Sequence, residues 1–327
     1  MRSLFSVVAA SLVLGIGIMS EASANKTLLT TLISGIPHSA FFGIDLENGE
    51  GVAVGAGGAI AESKDGGKTW KAVPQSPTNL ALLSVAKRGP HSIAVGQSGV
   101  VAIVQDGKWQ TVDAGTKARL LSVDVNSSGL AIIGGQFGNV LKSTDGGKTW
   151  APSAPDWSLL ALAEHFGTGE PTIYAANVTE SGQITIAGEF GVMMRSDDGG
   201  VTWRVVRGID PNAPTIHAFH LVDAGKGNSY AVGQSGELLI SADGGETWSK
   251  CDIATKLNFL GVAASSTGQV VVTGMRVMYR SENNGMSWVR VDEGDTNTDW
   301  YQAARTDEAS GRILAVGHSG KIIQIGG

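Results

Sequence analysis

A string that contains Asp and Gly and ends in Trp recurs along this chain and limits the folds open to it. Four copies are nearly identical: SKDGGKTW (63–70), STDGGKTW (143–150), SDDGGVTW (196–203) and SADGGETW (241–248). A divergent copy, SENNGMSW, occupies 281–288, and a truncated one, VQDGKW, occupies 104–109. Repetition at a spacing of about forty residues is typical of proteins built from repeated supersecondary units. The chain is therefore expected to fold as a repeat architecture.

The Gly-Gly-Lys-Thr core of the first copy looks like the end of a phosphate-binding loop. Such a loop needs a Gly five residues before the Gly of its Gly-Lys pair. That position holds Glu62 in the first copy and Lys142 in the second. The string is therefore interpreted as an architectural element and not as a nucleotide site.

Each string belongs to a longer unit of short apolar runs broken by Gly. The middle of the unit occurs seven times: VAVGAGGAIAES (52–63), IAVGQSGVVAIV (93–104), AIIGGQFGNVLKS (131–143), ITIAGEFGVMMRS (184–196), YAVGQSGELLIS (230–241), VVVTGMRVMYRS (270–281) and ILAVGHSGKIIQI (313–325). Runs of this length, rich in Val, Ile and Ala, indicate β-strands. Four antiparallel strands per unit, repeated seven times, predict an all-β, seven-bladed β-propeller.

The last unit stops after its third strand, so its blade lacks an outer strand. The segment TLLTTLI (27–33) precedes the first unit and has the composition of a strand. We expect it to pair into the last blade and to close the ring, which leaves only short, protected edges.

The recurring string is predicted to form the hairpin between the third and fourth strands of a blade. Asp65 is expected to accept hydrogen bonds within its own turn, and Gly67 to supply a positive φ. The Thr69 hydroxyl is placed to donate to the Asp, and Trp70 to pack between neighbouring blades. The same structural roles are predicted for the equivalent Asp and Trp of the four clear copies: Asp65, Trp70, Asp145, Trp150, Asp198, Trp203, Asp243 and Trp248.

The pattern S-x-D-x-G-x-T-W is the Asp-box, or bacterial neuraminidase repeat, which sialidases, xyloglucanases and non-enzymes share. The fuller unit, AVGxxGxIxxSxDGGxTW, resembles the photosystem II stability/assembly factor family over essentially the whole chain after residue 24. The resemblance implies a seven-bladed, exported, non-catalytic scaffold without a cofactor. It also implies a protein client or a membrane protein complex as the partner, which is photosystem II in a photosynthetic host.

Family members resemble one another in an Arg-rich surface patch, and cyanobacterial members are often lipidated on a Cys. This chain has no Cys near its predicted cleavage site, and most of its arginines come after residue 190: Arg195, Arg204, Arg207, Arg276, Arg280, Arg290, Arg305 and Arg312. The sequence leaves open whether they form one patch.

The first 24 residues have the features of a signal peptide. A basic start precedes the apolar run from Leu4 to Met19, and Ala22-Ser23-Ala24 is a small-residue cleavage site. We expect residues 25–327 to form one exported domain, periplasmic or else lumenal or secreted. It should be monomeric and at most peripheral to the membrane. A net charge of −6 without a long basic run argues against nucleic-acid binding.

A sialidase would need an Arg triad and a Tyr–Glu pair, which the sequence does not present. Another glycosidase would need two carboxylates across a cleft. The loop acids are interpreted as solvated turn residues: Asp113, Asp156, Asp210, Asp292, Asp295 and Asp299. His217 and His220 lie three apart in a strand and are expected to point to opposite sides, so no metal site is predicted. The alternative function is a glycan-binding or glycoside hydrolase propeller.

A partner is predicted to bind the face that carries the turns between second and third strands, together with the links between blades. Phe137 and Phe190 occupy equivalent turn positions in the third and fourth blades, where exposed aromatic side chains would anchor a partner. The candidate contact residues are Gln136, Phe137, Glu189, Phe190, Arg276 and His318. The segment 166–183 is expected to be an insertion between the first and second strands of the fourth blade, on the opposite face.

Overall fold

The structure is a computed structural model that describes residues 28–160 and 170–326, so the predicted signal peptide lies outside it. The described residues form seven four-stranded antiparallel sheets arranged as a ring, which confirms the predicted seven-bladed propeller. No helix within these two ranges is long and apolar enough to cross a membrane.

Each blade runs from an inner strand at the central channel to an outer strand at the rim. The first two blades contain β2 (Phe41–Glu47), β3 (Glu50–Gly55), β4 (Ile60–Ser63) and β5 (Lys71–Ala72), then β6 (Leu82–Arg88), β7 (His91–Gly96), β8 (Val101–Gln105) and β9 (Lys108–Val112). The third and fourth contain β10 (Leu120–Val125), β11 (Ala131–Gly135), β12 (Val140–Ser143) and β13 (Ala151–Pro152), then β14 (Ile173–Val178), β15 (Ile184–Gly188), β16 (Met193–Ser196) and β17 (Arg204–Arg207). The fifth and sixth contain β18 (Ile216–His220), β19 (Ser229–Gly233), β20 (Leu238–Ser241) and β21 (Ser249–Lys250), then β22 (Phe259–Ala264), β23 (Val270–Gly274), β24 (Met278–Ser281) and β25 (Val289–Arg290). The seventh contains β26 (Tyr301–Asp307), β27 (Arg312–Gly317) and β28 (Ile322–Ile325), with β1 (Leu29–Ile33) as its outer strand.

The seventh blade is completed by the start of the chain. Strand β1 pairs antiparallel with β28, with Leu29 opposite Ile325 and Thr31 opposite Ile323. The predicted ring closure is therefore confirmed. Because one blade contains both ends of the described chain, the ring cannot open there without breaking a strand pair.

The core lies between the blades. The second strand of each blade is buried along nearly its whole length, as in ITIAG of β15 and VVVTG of β23. Both faces of such a strand pack against neighbouring blades, which explains why these strands are continuous apolar runs without polar alternation. Each buried Val or Ile contributes roughly 1.5–3 kcal/mol to folding.

A polar contact crosses every junction between adjacent blades. The contacts, from the junction of blades one and two onward, are Asp45 with the Lys87 amide (2.8 Å), Ser84 with the Val123 amide (3.3 Å), Asp124 with the Val178 amide (2.8 Å), Arg195 with the Gly244 carbonyl (2.7 Å), His217 with the Phe259 carbonyl (2.8 Å), Thr306 with the Ala264 carbonyl (2.9 Å) and Arg305 with Asp45 (3.4 Å). Without these contacts, the polar groups would be buried between apolar blades with no hydrogen-bond partner.

The Asp-box hairpins are held by a repeated set of hydrogen bonds. Asp65 accepts from the Thr69 amide (2.9 Å) and hydroxyl (2.6 Å), which lower its pKa to about 2. Gly67 has a φ of 77°, and the Trp70 indole donates to its carbonyl at 3.0 Å. Trp70 also packs on the apolar cluster that joins the first and last blades. The hydrogen bonds expected from the sequence are therefore present in this hairpin.

The other three clear copies repeat the Asp–Thr contacts with one variation at the Trp. Trp150 and Trp248 donate to a Gly carbonyl of their own hairpin, at 2.9 Å and 3.0 Å. Trp203 instead donates to the Ser153 carbonyl of the preceding blade at 3.1 Å. The indole N–H therefore has a buried partner in each copy.

The predicted insertion in the fourth blade is wrong in its placement. Residues 173–178 form the inner strand β14 itself, and the extra length precedes it, between β13 and β14. The centre of this strand, Ala175-Ala176-Asn177, consists of weak strand formers, so the local sequence does not mark it as a strand. The described parts of this link, residues 153–160 and 170–172, therefore lie between two blades, and the Pro171 carbonyl accepts the amide N–H of Gly138, in a turn of the face predicted for partner binding, at 3.2 Å.

Candidate functional site

The face that carries the turns between second and third strands, together with the links between blades, is called the turn face below. The central residue of each turn has a left-handed backbone with φ between 53° and 61°. These residues are Gly57, Ser98, Phe137, Phe190, Ser235, Arg276 and Ser319. A left-handed conformation costs an L-residue about 1–2 kcal/mol, so six of the seven turns maintain a side chain where Gly would be less strained.

The residue before the left-handed position holds its own blade together. The Gln97 and Glu189 side chains accept the amides of Ala81 and Thr172 at 3.1 Å and 2.8 Å, just before each inner strand. Gln136, at the equivalent position in the third blade, is half-buried. Glu189, predicted as a partner contact, therefore has an intramolecular role as well.

The two phenylalanines of the predicted site differ in exposure. Phe137 is 70% exposed, whereas Phe190 is half-buried, and its carbonyl accepts the amide of Asp210 from the adjoining link at 3.2 Å. Arg276 is exposed on the sixth blade. The structure thus places Phe137, Phe190 and Arg276 on one face, and their contact with a partner stays a prediction.

An aromatic pair that the sequence did not reveal lies on the same face. Phe42 of the first blade stacks on Trp300 of the last link, with ring centroids 5.9 Å apart and an interplanar angle of 6°. Met275, 44% exposed, forms a backbone bridge to Trp300, and Ile36 nearby on the link into the first blade is 68% exposed. The signal available in the sequence was Trp300, one of two Trp residues outside the recurring strings.

A charged cluster supports this aromatic pair from the seventh blade. Asp295 accepts from the Tyr301 hydroxyl at 2.7 Å and contacts His318 Nε2 at 2.9 Å and the Lys321 ammonium. Burial raises the pKa of Asp295, but the bonds from Lys321 and Tyr301 outweigh it and lower the pKa overall. His318 packs edge-on against Trp300, with centroids 6.3 Å apart. His318, predicted as a partner contact, therefore positions Trp300.

Asp295, Asp299 and His318 lie close enough together to ligate one ion. Lys321 already supplies a positive charge at Asp295, and His318 Nδ1 lies 3.5 Å from Asp299. The donor set is therefore occupied by internal partners, and we assign it to support of the turn face.

The arginines after residue 190 do not form one patch. Arg195 and Arg204 share Glu246 at 2.7 Å each, beside the junction of the fourth and fifth blades. Arg305 lines the central channel, and Arg312 contacts the Gly66 carbonyl on the opposite face from the turns. The question that the sequence left open is thus answered: these arginines lie at separate places, and most of them pair with a nearby carboxylate.

His217 and His220 were predicted to point to opposite sides of their strand. A β-bulge between Ile216 and Ala218 inserts an extra residue, so both side chains line the central channel. Burial lowers the pKa of both, and with the nearby Arg305 it brings that of His220 to about 4. That prediction is therefore wrong, because alternation holds only for an unbulged strand.

Two sequence comparisons match this chain to the same group of proteins. The family model for photosynthesis system II assembly factor YCF48 matches residues 156–325. The photosystem II assembly lipoprotein Ycf48 of Synechococcus sp. (strain CC9902) is 25% identical over 296 residues, covering 72% of this chain and 84% of that protein.

Solved structures share the fold at low identity. YCF48 from Cyanidioschyzon merolae aligns with a TM-score of 0.71 at 18% identity, covering 91% of this chain and 98% of that one. YCF48 bound to D1 peptide aligns with 0.69 at 15%, covering 93% and 98%. The GH74 xyloglucanase from Xanthomonas campestris aligns with 0.67 at 16%, covering 90% and 52%. The structural likenesses show the fold alone, but the family model covers more than half of the chain, and this chain belongs to the photosynthesis system II assembly factor YCF48 family.

Proposed function

We propose that this protein is an exported, non-catalytic scaffold that binds a protein partner on its turn face. The observation that carries the proposal is the stacked pair of Phe42 and Trp300 on the turn face, where Met275, bridged to Trp300, and Ile36 have exposed side chains. Exposed apolar groups gathered beside a channel mouth are typical of protein interaction sites, and aromatic residues dominate the binding energy there.

The relatives support a polypeptide as the partner. One solved relative is described as YCF48 bound to D1 peptide, and a relative found by sequence comparison is described as a photosystem II assembly lipoprotein. By analogy, the client is a membrane protein or complex, which is photosystem II in a photosynthetic host. The protein would act as a monomer, outside the cytoplasm and peripheral to the membrane.

The charged cluster supports a non-catalytic role. A glycosidase needs one carboxyl group with a raised pKa to act as the acid. Asp295 has a lowered pKa and is engaged by Tyr301, His318 and Lys321. Its environment suits a buttress for Trp300 better than proton transfer.

Two methionines of the sixth blade provide a matched test with a synthetic D1 peptide. Met275 lies on the turn face, whereas Met286, 79% exposed, lies in the hairpin on the opposite face. Calorimetry should show weaker peptide binding for Met275→Ser and for Trp300→Ser, and unchanged binding for Met286→Ser. Equal affinities for all the variants would contradict the site. Failure of the wild type to bind would remove the D1 peptide as the model client.

A further inference from the structure

The seven inner strands enclose a central channel of about 690 Å³. A volume of this size lies in the range of small-molecule sites, roughly 300–1,000 Å³. The channel is separate from the aromatic pair of Phe42 and Trp300 at its mouth, apart from Phe42, which belongs to both. Its lining therefore has to be considered in its own right.

Each inner strand has a β-bulge after its first residue. A bulge redirects a side chain, and here the bulged residues line the channel and are half-buried. We call them the upper ring: Phe42, Leu83, Leu121, Tyr174, His217, Leu260 and Gln302. Blades one to three contribute a continuous apolar arc of Phe42, Leu83 and Leu121.

A second level lies three residues further along each inner strand, about 10 Å deeper at the rise of a β-strand. Its polar members, with Arg88 beside them, are called the lower ring: Asp45, Asp124, Asn177, His220, Arg305 and Arg88. The channel thus changes from apolar to charged over the length of a short organic molecule.

The carboxylates of the lower ring are already engaged as acceptors. Asp45 binds the Lys87 amide, Arg88 and Arg305 at 2.8, 3.2 and 3.4 Å. Asp124 Oδ2 accepts from the Asn177 side chain and the Val178 amide, both at 2.8 Å. Both oxygens of Asp45 and Oδ2 of Asp124 are thus engaged, and burial raises the pKa of Asp124, which disfavours its charged form.

Some N–H donors of the two guanidinium groups have no hydrogen-bond partner among the described residues. Arg305 is 39% exposed and contacts Asp45 through Nε, and within residues 28–160 and 170–326 its two terminal nitrogens have no hydrogen-bond partner. Arg88 is 32% exposed and shares the same carboxylate. Asp124, Glu47 and Glu308 also line the channel, so the preference for an anionic group rests on the terminal nitrogens of Arg305, beside an Asp45 carboxylate that is already paired.

We propose that the channel binds a small organic anion, with its apolar body against the upper ring and its anionic group at Arg305. The site needs no protein client, so it stands or falls separately from the function proposed above. Its specificity follows from the two levels: an apolar body alone satisfies the upper ring only, and a cationic head would meet Arg88 and Arg305.

Three probes with the same eight-carbon chain test the head group: octanoate, octan-1-ol and octylammonium. Titration calorimetry on the wild-type protein should show saturable octanoate binding, at least about tenfold tighter than octanol, since charge-assisted hydrogen bonds are worth that much. Octylammonium should bind least. Equal affinity for octanoate and octanol, a preference for octylammonium, or no octanoate binding would overturn the proposal.

Variants locate the two levels. Arg305→Gln should weaken octanoate about tenfold and leave octanol unchanged, whereas Leu121→Gln should weaken both. Arg276→Gln, an exposed arginine outside the channel, is the matched control and should change neither. Arg305→Lys is included because Arg305 also contacts Asp45. This variant keeps a positive charge for both Asp45 and octanoate, so it should retain most of the octanoate affinity. Unchanged octanoate affinity in folded Arg305→Gln would overturn the assignment.

Discussion

The carboxylate of Asp45, in the first blade, lies 3.4 Å from Nε of Arg305, in the last blade. The same carboxylate contacts Arg88 at 3.2 Å and accepts the Lys87 amide at 2.8 Å, both in the second blade. One carboxylate that is only 4% exposed thus joins three successive blades. It joins the first and last blades at the channel, while β1 joins the same two blades at the rim.

Removing this carboxylate should destabilise the contact between the first and last blades at the channel. Asp45→Ala leaves two guanidinium groups and the amides of Lys87 and Leu46 without this acceptor, so we expect the free energy of unfolding to fall by about 3 kcal/mol. Urea denaturation measures the loss. Asp252→Ala, at an exposed carboxylate, is the control and should stay within about 0.5 kcal/mol of wild type. An Asp45→Ala variant as stable as this control would show that the junction does not depend on Asp45.

The pairing of β1 at the rim is tested by shortening the chain. A protein starting at residue 35 lacks β1, so β28 loses its partner from Leu29 opposite Ile325 to Ile33 opposite Ile322. The truncation exposes the edge of β28 and removes the packing of Leu32 and Ile33. We expect the free energy of unfolding to fall by several kcal/mol, on the order of half of the value for a typical domain. The reference is a protein starting at residue 25. Equal melting temperatures of the two proteins would contradict the closure role of β1.

The channel histidine gives a pH dependence of defined sign. Burial, followed by the positive charge of Arg305, lowers the pKa of His220 from 6.5 to about 4. The unfolded chain therefore binds a proton at this histidine more readily than the folded protein does. The contribution of His220 to the free energy of unfolding is therefore fully present above about pH 6.5 and is lost as the pH falls toward 4. His220→Gln should flatten the stability profile in this window. NMR titration measures the pKa directly, and a His220 pKa near 6.5 would contradict the structure.

The repeated parts of the fold were predictable because each copy carries its own local chemistry. The Asp65–Thr69 contact, the left-handed Gly67 and the Trp70 ring follow from eight adjacent residues, and the alternation of short apolar runs with Gly marks the strands. The closing strand was predictable from strand counting, because a blade with three strands leaves an edge to be covered.

The site was less predictable because it depends on ring closure and on bulges. Phe42 and Trp300 lie at opposite ends of the chain and meet only where the last blade joins the first. The bulges that turn His217 and its equivalents into the channel have no sequence signal as strong as a Gly-rich turn. The inner strand Ile173–Val178 was missed because Ala and Asn are weak strand formers, so tertiary packing decides its conformation.

The supporting role of Asp295 predicts the absence of hydrolase activity. Sialosides and xyloglucan should not be turned over, because a carboxyl with a lowered pKa, bound to Lys321 and Tyr301, is a poor proton donor. Reducing-sugar release over a range of pH measures this. Turnover that is lost in Asp295→Asn or Asp299→Asn, but kept in the exposed control Asp252→Asn, would show that the cluster is catalytic.

The turn-face phenylalanines provide the most specific prediction for partner binding. Changing Phe137 and Phe190 together to Ser should weaken D1 peptide binding by about 2–4 kcal/mol, the range of interface hot spots. Ser already occupies the same left-handed position in three other blades, at residues 98, 235 and 319, so the backbone should tolerate it. The matched control changes Val201 and Met286 to Ser, since these side chains are 72% and 79% exposed on hairpins of the opposite face. Calorimetry gives the affinity and thermal melting the stability. Equal affinity of the double variant and the control would refute the site, and a large fall in melting temperature would instead assign the half-buried Phe190 to packing.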